Sequence, residues 1–169
     1  CATTMTDAFT CMRADINKTD GEWKALVPAN TKKPKVIVFQ GASDYTVYPG
    51  NADDLVAQWT GVHGTDKTAD ATDTNIGGHT HTVYNGTDGK PVVEVYMITG
   101  MGHSITVDPG TGVDQGGKTA GFSVDKNLYS SYWALKFFGL DNSDAIAPTV
   151  NFISPTSSII APATVTFNA

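Results

Sequence analysis

Two side chains in this sequence have the type and setting for proton-transfer chemistry. They are Asp44, in Gly41-Ala-Ser-Asp44-Tyr, and His103, in Gly100-Met-Gly-His103. An imidazole that donates from one nitrogen to a carboxylate can take a proton from a hydroxyl nucleophile at the other and return it to a leaving group. The carboxylate fixes the ring's tautomer and stabilises its protonated form. The separation of 59 positions between the pair leaves room for a helix and a hairpin. Singly, each has a plainer reading: Asp44 as a turn aspartate bonded to its own backbone, His103 as a solvent-facing loop histidine. Gly100 and Gly102 would let the backbone set the ring against a neighbouring loop. Tyr45, Tyr48 and Met101 flank the pair and are candidates for lining an apolar substrate groove, with core packing as the alternative.

The nucleophile such a relay needs is missing. Ser43 stands in G-A-S-D-Y, Ser104 in G-H-S-I-T and Ser123 in G-F-S-V-D, and none meets the G-x-S-x-G pattern of a strand-to-helix elbow. Ser104 is a poor substitute, because adjacent residues on one loop rarely give an imidazole access to its neighbour's hydroxyl. The other histidines suggest different roles. His63 falls at an expected helix end. His79 and His81 form an H-x-H pair that could face one side of a strand, but no third ligand of recognisable spacing accompanies them, so no metal is expected.

Positioning Asp44 and His103 requires a sheet. The run Lys35-Val-Ile-Val-Phe39, bounded by Gly41, is continuously apolar and β-branched, which predicts a strand buried on both faces inside a parallel sheet. Asp44 follows it by a short turn. Asn51 is the expected cap of a helix carrying Leu55, Val56 and Trp59, with Asp53 and Asp54 at its positive end. Residues 61–78 have no period and read as a surface loop. His79 to Tyr84 and Val92 to Ile98 read as a hairpin, with Asn85-Gly86 and Asp88-Gly89 between them, and its second strand delivers His103. Asp44 and His103 would then emerge at the carboxyl edge of one sheet, where open α/β sheets place their sites.

Beyond a glycine-rich loop over residues 108–121, Asp125 is the expected cap of an apolar helix from Leu128 to Phe138, closed by Gly139. Trp59 and Trp133 sit in apolar helical stripes and read as core. Upstream, residues 4–27 carry helix signals, including a capping box formed by Thr19 and Glu22, and Pro28 closes the segment.

At 169 residues and 40% hydrophobic content, the chain can bury one ordinary core. Lysine and arginine number 11 against 17 acidic residues, a net charge of -6 that argues against a nucleic-acid surface. No apolar run approaches the roughly 20 residues of a membrane-spanning helix, and no signal-peptide pattern opens the chain. The two cysteines, Cys1 and Cys11, are either unrelated thiols or a disulfide; the low lysine content and acidic, Thr/Asn/Gly-rich composition favour an extracellular disulfide. Past Asp141 the composition shifts to Pro, Ser, Thr and Ala. We expect a linker over residues 141–148. Residues 149–169, with alternation around Phe152 and Phe167, would be the truncated start of an immunoglobulin-like β-sandwich module, a flexible tail being the alternative.

The segments Val36-Ile-Val-Phe-Gln-Gly-Ala-Ser-Asp44-Tyr-Thr-Val-Tyr-Pro-Gly-Asn51, Gln58-Trp59 and Gly100-Met-Gly-His103 resemble the polyhydroxybutyrate depolymerase family, kin to the feruloyl and acetylxylan esterases. The likeness runs from Cys1 to Leu140 and takes in Thr10-Cys11-Met12, Val107-Asp-Pro-Gly110 and the Tyr132-Trp133 helix. It implies an α/β fold in which residues 1–140 are the C-terminal portion of an α/β-hydrolase sheet with flanking helices. By it, Asp44 matches the family's acid and His103 its base. The family is secreted, cofactor-free and active on esters of hydroxyacids or plant-wall acyl groups, and it places its serine elbow and oxyanion hole upstream of the position matching Cys1.

The expectation is thus a fragment of a secreted serine esterase that lacks its nucleophile, inactive alone, with a polymeric or small ester as substrate and the N-terminal half of its domain as missing partner. The competing expectation is a non-catalytic, polysaccharide- or wall-binding module on a hydrolase scaffold. A zinc protein using His79, His81 and a carboxylate is a third.

Overall fold

In the computed structural model, residues 3–14, 18–29 and 32–141 are described. The expected linker from Asn142 onward, the strands expected over residues 149–169, and Cys1 of the expected Cys1–Cys11 bridge lie outside the described residues.

The helical stretch expected over residues 4–27 is two short helices, α1 (Met5–Met12) and α2 (Asp20–Ala25). Each opens on a capping box. Thr19 and Glu22 form the expected one, while Thr4 and Asp7 form a second in which a shorter acid does the same work.

Strand β1 (Val36–Gly41) leads into helix α3 (Gly50–His63), then β2 (Ala71–Ile76), β3 (His79–Asn85) and β4 (Pro91–Ile98). These strands form one mixed sheet in the order β1-β4-β3-β2. β1 pairs with β4 in parallel, Val38 opposite Val95 and Phe39 opposite Tyr96, and the other two pairings are antiparallel. The strand buried on both faces is therefore β4. β1, expected to hold that place, is an edge strand among the described residues and only half-buried along Val36 to Phe39.

The period-two geometry of a strand explains how β4 serves two cores. Val93 and Val95 face α3, where they meet Ala52 and Val56, with Val38 and Trp59 packed alongside. Tyr96 and Ile98 face the opposite way onto Met101 and Leu128, with Ile37, Phe39 and Trp133 against them. Val93 and Ile98 are fully buried, and each stabilises the fold by about 1.5–3 kcal/mol relative to exposure.

Three local expectations are corrected. Residues 61–78 are not a loop: α3 runs to His63, and β2 follows it. Gly77 and Gly78, at φ 61° and 83°, make the two-residue turn that joins β2 to β3. Asn51 does not cap α3, which starts after Pro49 without a side-chain cap; its amide instead donates to the carbonyls of Met12 and Tyr48. Asp125 does not cap the last helix, α4 (Ser130–Phe138). It ends a three-residue strand, β6 (Ser123–Asp125), and accepts from the Asn127 N–H. β6 pairs in parallel with β5 (Ile105–Val107). Gly139 ends α4 as expected. Among the described residues no helix is long and apolar enough to cross a membrane.

Candidate active site

Because β1 and β4 are parallel, the loops that follow them leave the same edge of the sheet, and Asp44 and His103 lie on those two loops. The loops are bound to each other through backbone. Ala42 N–H donates to Ile98 O and Ser43 N–H to Met101 O, both at 2.9 Å. Such close approach needs Gly41, since a β-carbon there would collide with the carbonyls of Met101 and Gly102. Gln40, buried at the end of β1, closes the Asp44 loop from beneath by donating to the carbonyls of Val47 (3.0 Å) and Gly41 (3.1 Å).

On this base the two side chains meet. Nδ1 of His103 lies 2.9 Å from Oδ2 of Asp44. The other carboxylate oxygen accepts from the backbone N–H groups of Thr46 (2.8 Å) and Val47 (2.9 Å), so both oxygens are occupied. Burial of Asp44, only 5% exposed, pushes its pKa up. The hydrogen bonds from His103, Val47 and Thr46 and the attraction of the imidazole outweigh that and hold it below the ordinary value. An ionised Asp44 accepting at Nδ1 fixes the proton there and leaves Nε2 as the basic nitrogen. The His103 side chain is about half exposed, which suits a group that must reach an incoming reactant.

The pair opens on a cleft of about 500 Å³ whose walls include Phe39, Val47, Ile105 and Phe122. Phe122 stands edge-to-face with the His103 ring, centroids 6.4 Å apart. Sequence reasoning missed these walls and Gln40; the one available signal was Phe122 itself, an aromatic residue closing a glycine-rich loop. Of the residues expected to line a groove, Met101 does not: its side chain is 1% exposed and packed with Tyr96, Ile98 and Leu128, because the loop turns it inward beneath His103. Tyr45 and Tyr48 pack edge-to-face on each other and lie outside the cleft walls, Tyr45 pointing into solvent at 83% exposure.

The remaining histidines are structural. His79, buried, accepts from the Thr99 N–H at Nδ1 (3.1 Å) and donates from Nε2 to the Lys126 carbonyl (2.6 Å), tying the β4 exit to the segment before α4. His81 bonds Glu94 at 3.0 Å and stacks on Tyr96. Burial, then the Glu94 charge, pushes the Tyr96 phenol well above its usual range. His63, at the end of α3, bonds the Pro34 carbonyl. Among the described residues no group of three or more His, Cys, Asp or Glu side chains is placed to hold a metal ion.

No family model matches the chain. Individual proteins do. Poly(3-hydroxyalkanoate) depolymerase C of Paucimonas lemoignei is 47% identical over 145 residues, covering 83% of this chain and 35% of that protein. Feruloyl esterase B of Talaromyces stipitatus is 32% identical over 117 residues, covering 66% of this chain and 32% of that protein. The chain belongs to this family of depolymerases and acyl esterases. It spans about a third of the length of these curated relatives. The family's fold is also seen in a solved structure, acetyl xylan esterase from Aspergillus awamori, which superimposes with a TM-score of 0.55 at 20% identity over 78% of this chain and 41% of that one. That likeness supports a mixed α/β fold of sheet and flanking helices.

Proposed function

We propose that this chain carries the acid and base of a secreted serine esterase, whose serine and oxyanion-hole donors are supplied by a segment upstream of Cys1. The substrate is an ester of a hydroxyacid polymer or of an acylated polysaccharide. The observation that carries the reading is the 2.9 Å bond between His103 and Asp44, made across two loops at one edge of a parallel strand pair beside an apolar cleft. The relatives' names, a depolymerase and feruloyl and acetylxylan esterases, agree with it.

In this reading Nε2 of His103 takes the serine proton as the hydroxyl oxygen attacks the ester carbonyl, and the carbonyl electron pair moves onto oxygen. When the tetrahedral adduct collapses, the same proton passes to the departing alkoxide, which leaves as the alcohol. A water molecule then repeats the sequence on the acyl-enzyme and releases the acid. Asp44 stays ionised throughout and stabilises the imidazolium. No cofactor enters the route, and a net charge of -6 suits a neutral substrate better than a polyanion.

The test compares p-nitrophenyl butyrate hydrolysis by this chain and by the chain extended upstream through its G-x-S-x-G. The chain alone should stay near background. The extended protein should turn over, and His103→Ala in it should lower kcat by about 10⁴ or more. Robust turnover by the short chain that survives His103→Ala overturns the mechanism. An inactive extended protein favours the polysaccharide- or wall-binding reading.

A further inference from the structure

The loop that carries His103 starts at Thr99, directly past β4, and Gly100, at φ 63°, and Gly102 leave its backbone few restraints of its own. Its direction has to be imposed by neighbours. Met101 is one anchor, buried among Tyr96, Ile98 and Leu128, with its carbonyl accepting from the Ser43 N–H. Thr99 is the other. Its backbone N–H donates to Nδ1 of His79 at 3.1 Å, and its hydroxyl donates to the Gly78 carbonyl at 3.2 Å. His79 is buried by residues of this chain, only 5% exposed.

Both ring nitrogens of His79 are committed. Nδ1 faces a donor and Nε2 faces the Lys126 carbonyl at 2.6 Å, so the ring carries its proton on Nε2. That is the reverse of His103, whose Nδ1 holds the proton toward Asp44. His79 therefore has no free nitrogen with which to pass a proton on. It clasps the start of the His103 loop to the segment ahead of α4, where a β-carbon on Gly77 would strike the Asn127 carbonyl. We propose that His79 is a positioning residue for the base: its Nδ1 sets where the His103 loop leaves β4, and through that the approach of the His103 ring to Asp44. The catalytic consequence rests on the esterase reading above, whereas the alignment is a property of this chain. A ring displaced by about 1 Å is enough to slow a positioned proton transfer by one to two orders of magnitude.

Two substitutions separate the two bonds. In His79→Asn the side-chain oxygen takes the place of Nδ1 and still accepts from Thr99, while the Lys126 bond is lost. In His79→Gln the amide nitrogen takes the place of Nε2 and keeps the Lys126 bond, while Thr99 loses its acceptor. In the 169-residue chain, proton NMR follows the His103 Nδ1 proton shared with Asp44, with thermal unfolding alongside. The asparagine variant should keep that resonance, and the glutamine variant should lose or broaden it. In the extended protein, kcat for p-nitrophenyl butyrate should fall about tenfold or more in His79→Gln with KM nearly unchanged, and by no more than about threefold in His79→Asn. If both variants fold and lose the resonance equally, or an active extended protein loses kcat equally in both, His79 only stabilises the fold and the proposal is overturned. Nitrogen shifts of His79 in the unsubstituted chain give a test that needs no variant: they should report the proton on Nε2, and a proton on Nδ1 overturns the proposal. If the resonance separates the variants while the extended wild type is inactive, the positioning role stands and the esterase reading falls.

Discussion

Gly41 and Met101 approach each other backbone to backbone, so that a β-carbon on Gly41 would collide with the Met101 carbonyl oxygen. Both partners are main chain, and the clash has no flexible side-chain end to relieve it. Gly41→Ala should therefore push apart the loops that carry Asp44 and His103 and cost about 1–3 kcal/mol. Thermal unfolding should show a midpoint lowered by several degrees, and an unchanged midpoint would mean that the two loops tolerate separation.

Asp44 makes stability depend on pH in the acid range. Its carboxyl holds a proton less tightly in the folded chain than in the unfolded one, so the unfolded state binds more protons between the lowered folded value and the ordinary 3.8. The contribution is fully present above the ordinary value and is lost as pH falls through the folded one. Urea midpoints measured from pH 6 down to pH 2.5 should fall for the wild type and fall less for Asp44→Asn. In the extended protein, Asp44→Asn should also cut kcat by about 10⁴, a loss that a purely structural role would not produce if the variant remains folded. Parallel acid limbs for the two proteins would remove the linkage.

Gln40 holds the Asp44 loop through two donated hydrogen bonds from one buried amide. Gln40→Glu keeps the shape but replaces the donor with a charged acceptor facing the Gly41 and Val47 carbonyls, which should cost about 2 kcal/mol or more. Gln40→Met, which only removes the donor, should cost about 1–3 kcal/mol. Denaturant unfolding would rank the two, and a glutamate variant as stable as wild type would show that the amide is not what closes the loop.

The parts of this molecule that were legible from sequence are those in which local chemistry and tertiary role coincide. The apolar run before Gly41 and the Gly-Met-Gly before His103 mark a strand end and a loop, and the structure puts Asp44 and His103 there. β2 was invisible because Ala71 to Asn75 are exposed and polar, so no apolar alternation marks the strand. Its real signal was the Gly77-Gly78 turn. Asn51 and Asp125 have cap-forming side chains, but each is claimed elsewhere, by Met12 and Tyr48 for the first and by an Asn127 turn for the second. The choice between groove and core for Met101 was not legible because adjacency to His103 in sequence says nothing about direction: one residue along a loop turns a side chain from the cleft into the core. The Phe122 wall depends on a pairing between β5 and β6 that three-residue strands do not announce.

The order of strands in the sheet also sets a schedule. β3 and β4 are joined by a short turn and can pair early, whereas β1 must find β4 across the intervening α3, β2 and β3. Contacts between distant segments carry the larger loop-closure penalty and form late. The loop bearing Asp44 is thus expected to lock against the loop bearing His103 at the end of folding, with the Ala42 and Ser43 amides gaining hydrogen-exchange protection after those of the β3–β4 hairpin. A newly made chain would carry an unaligned histidine until its last strand docks, and proton-relay geometry would arrive together with the finished fold.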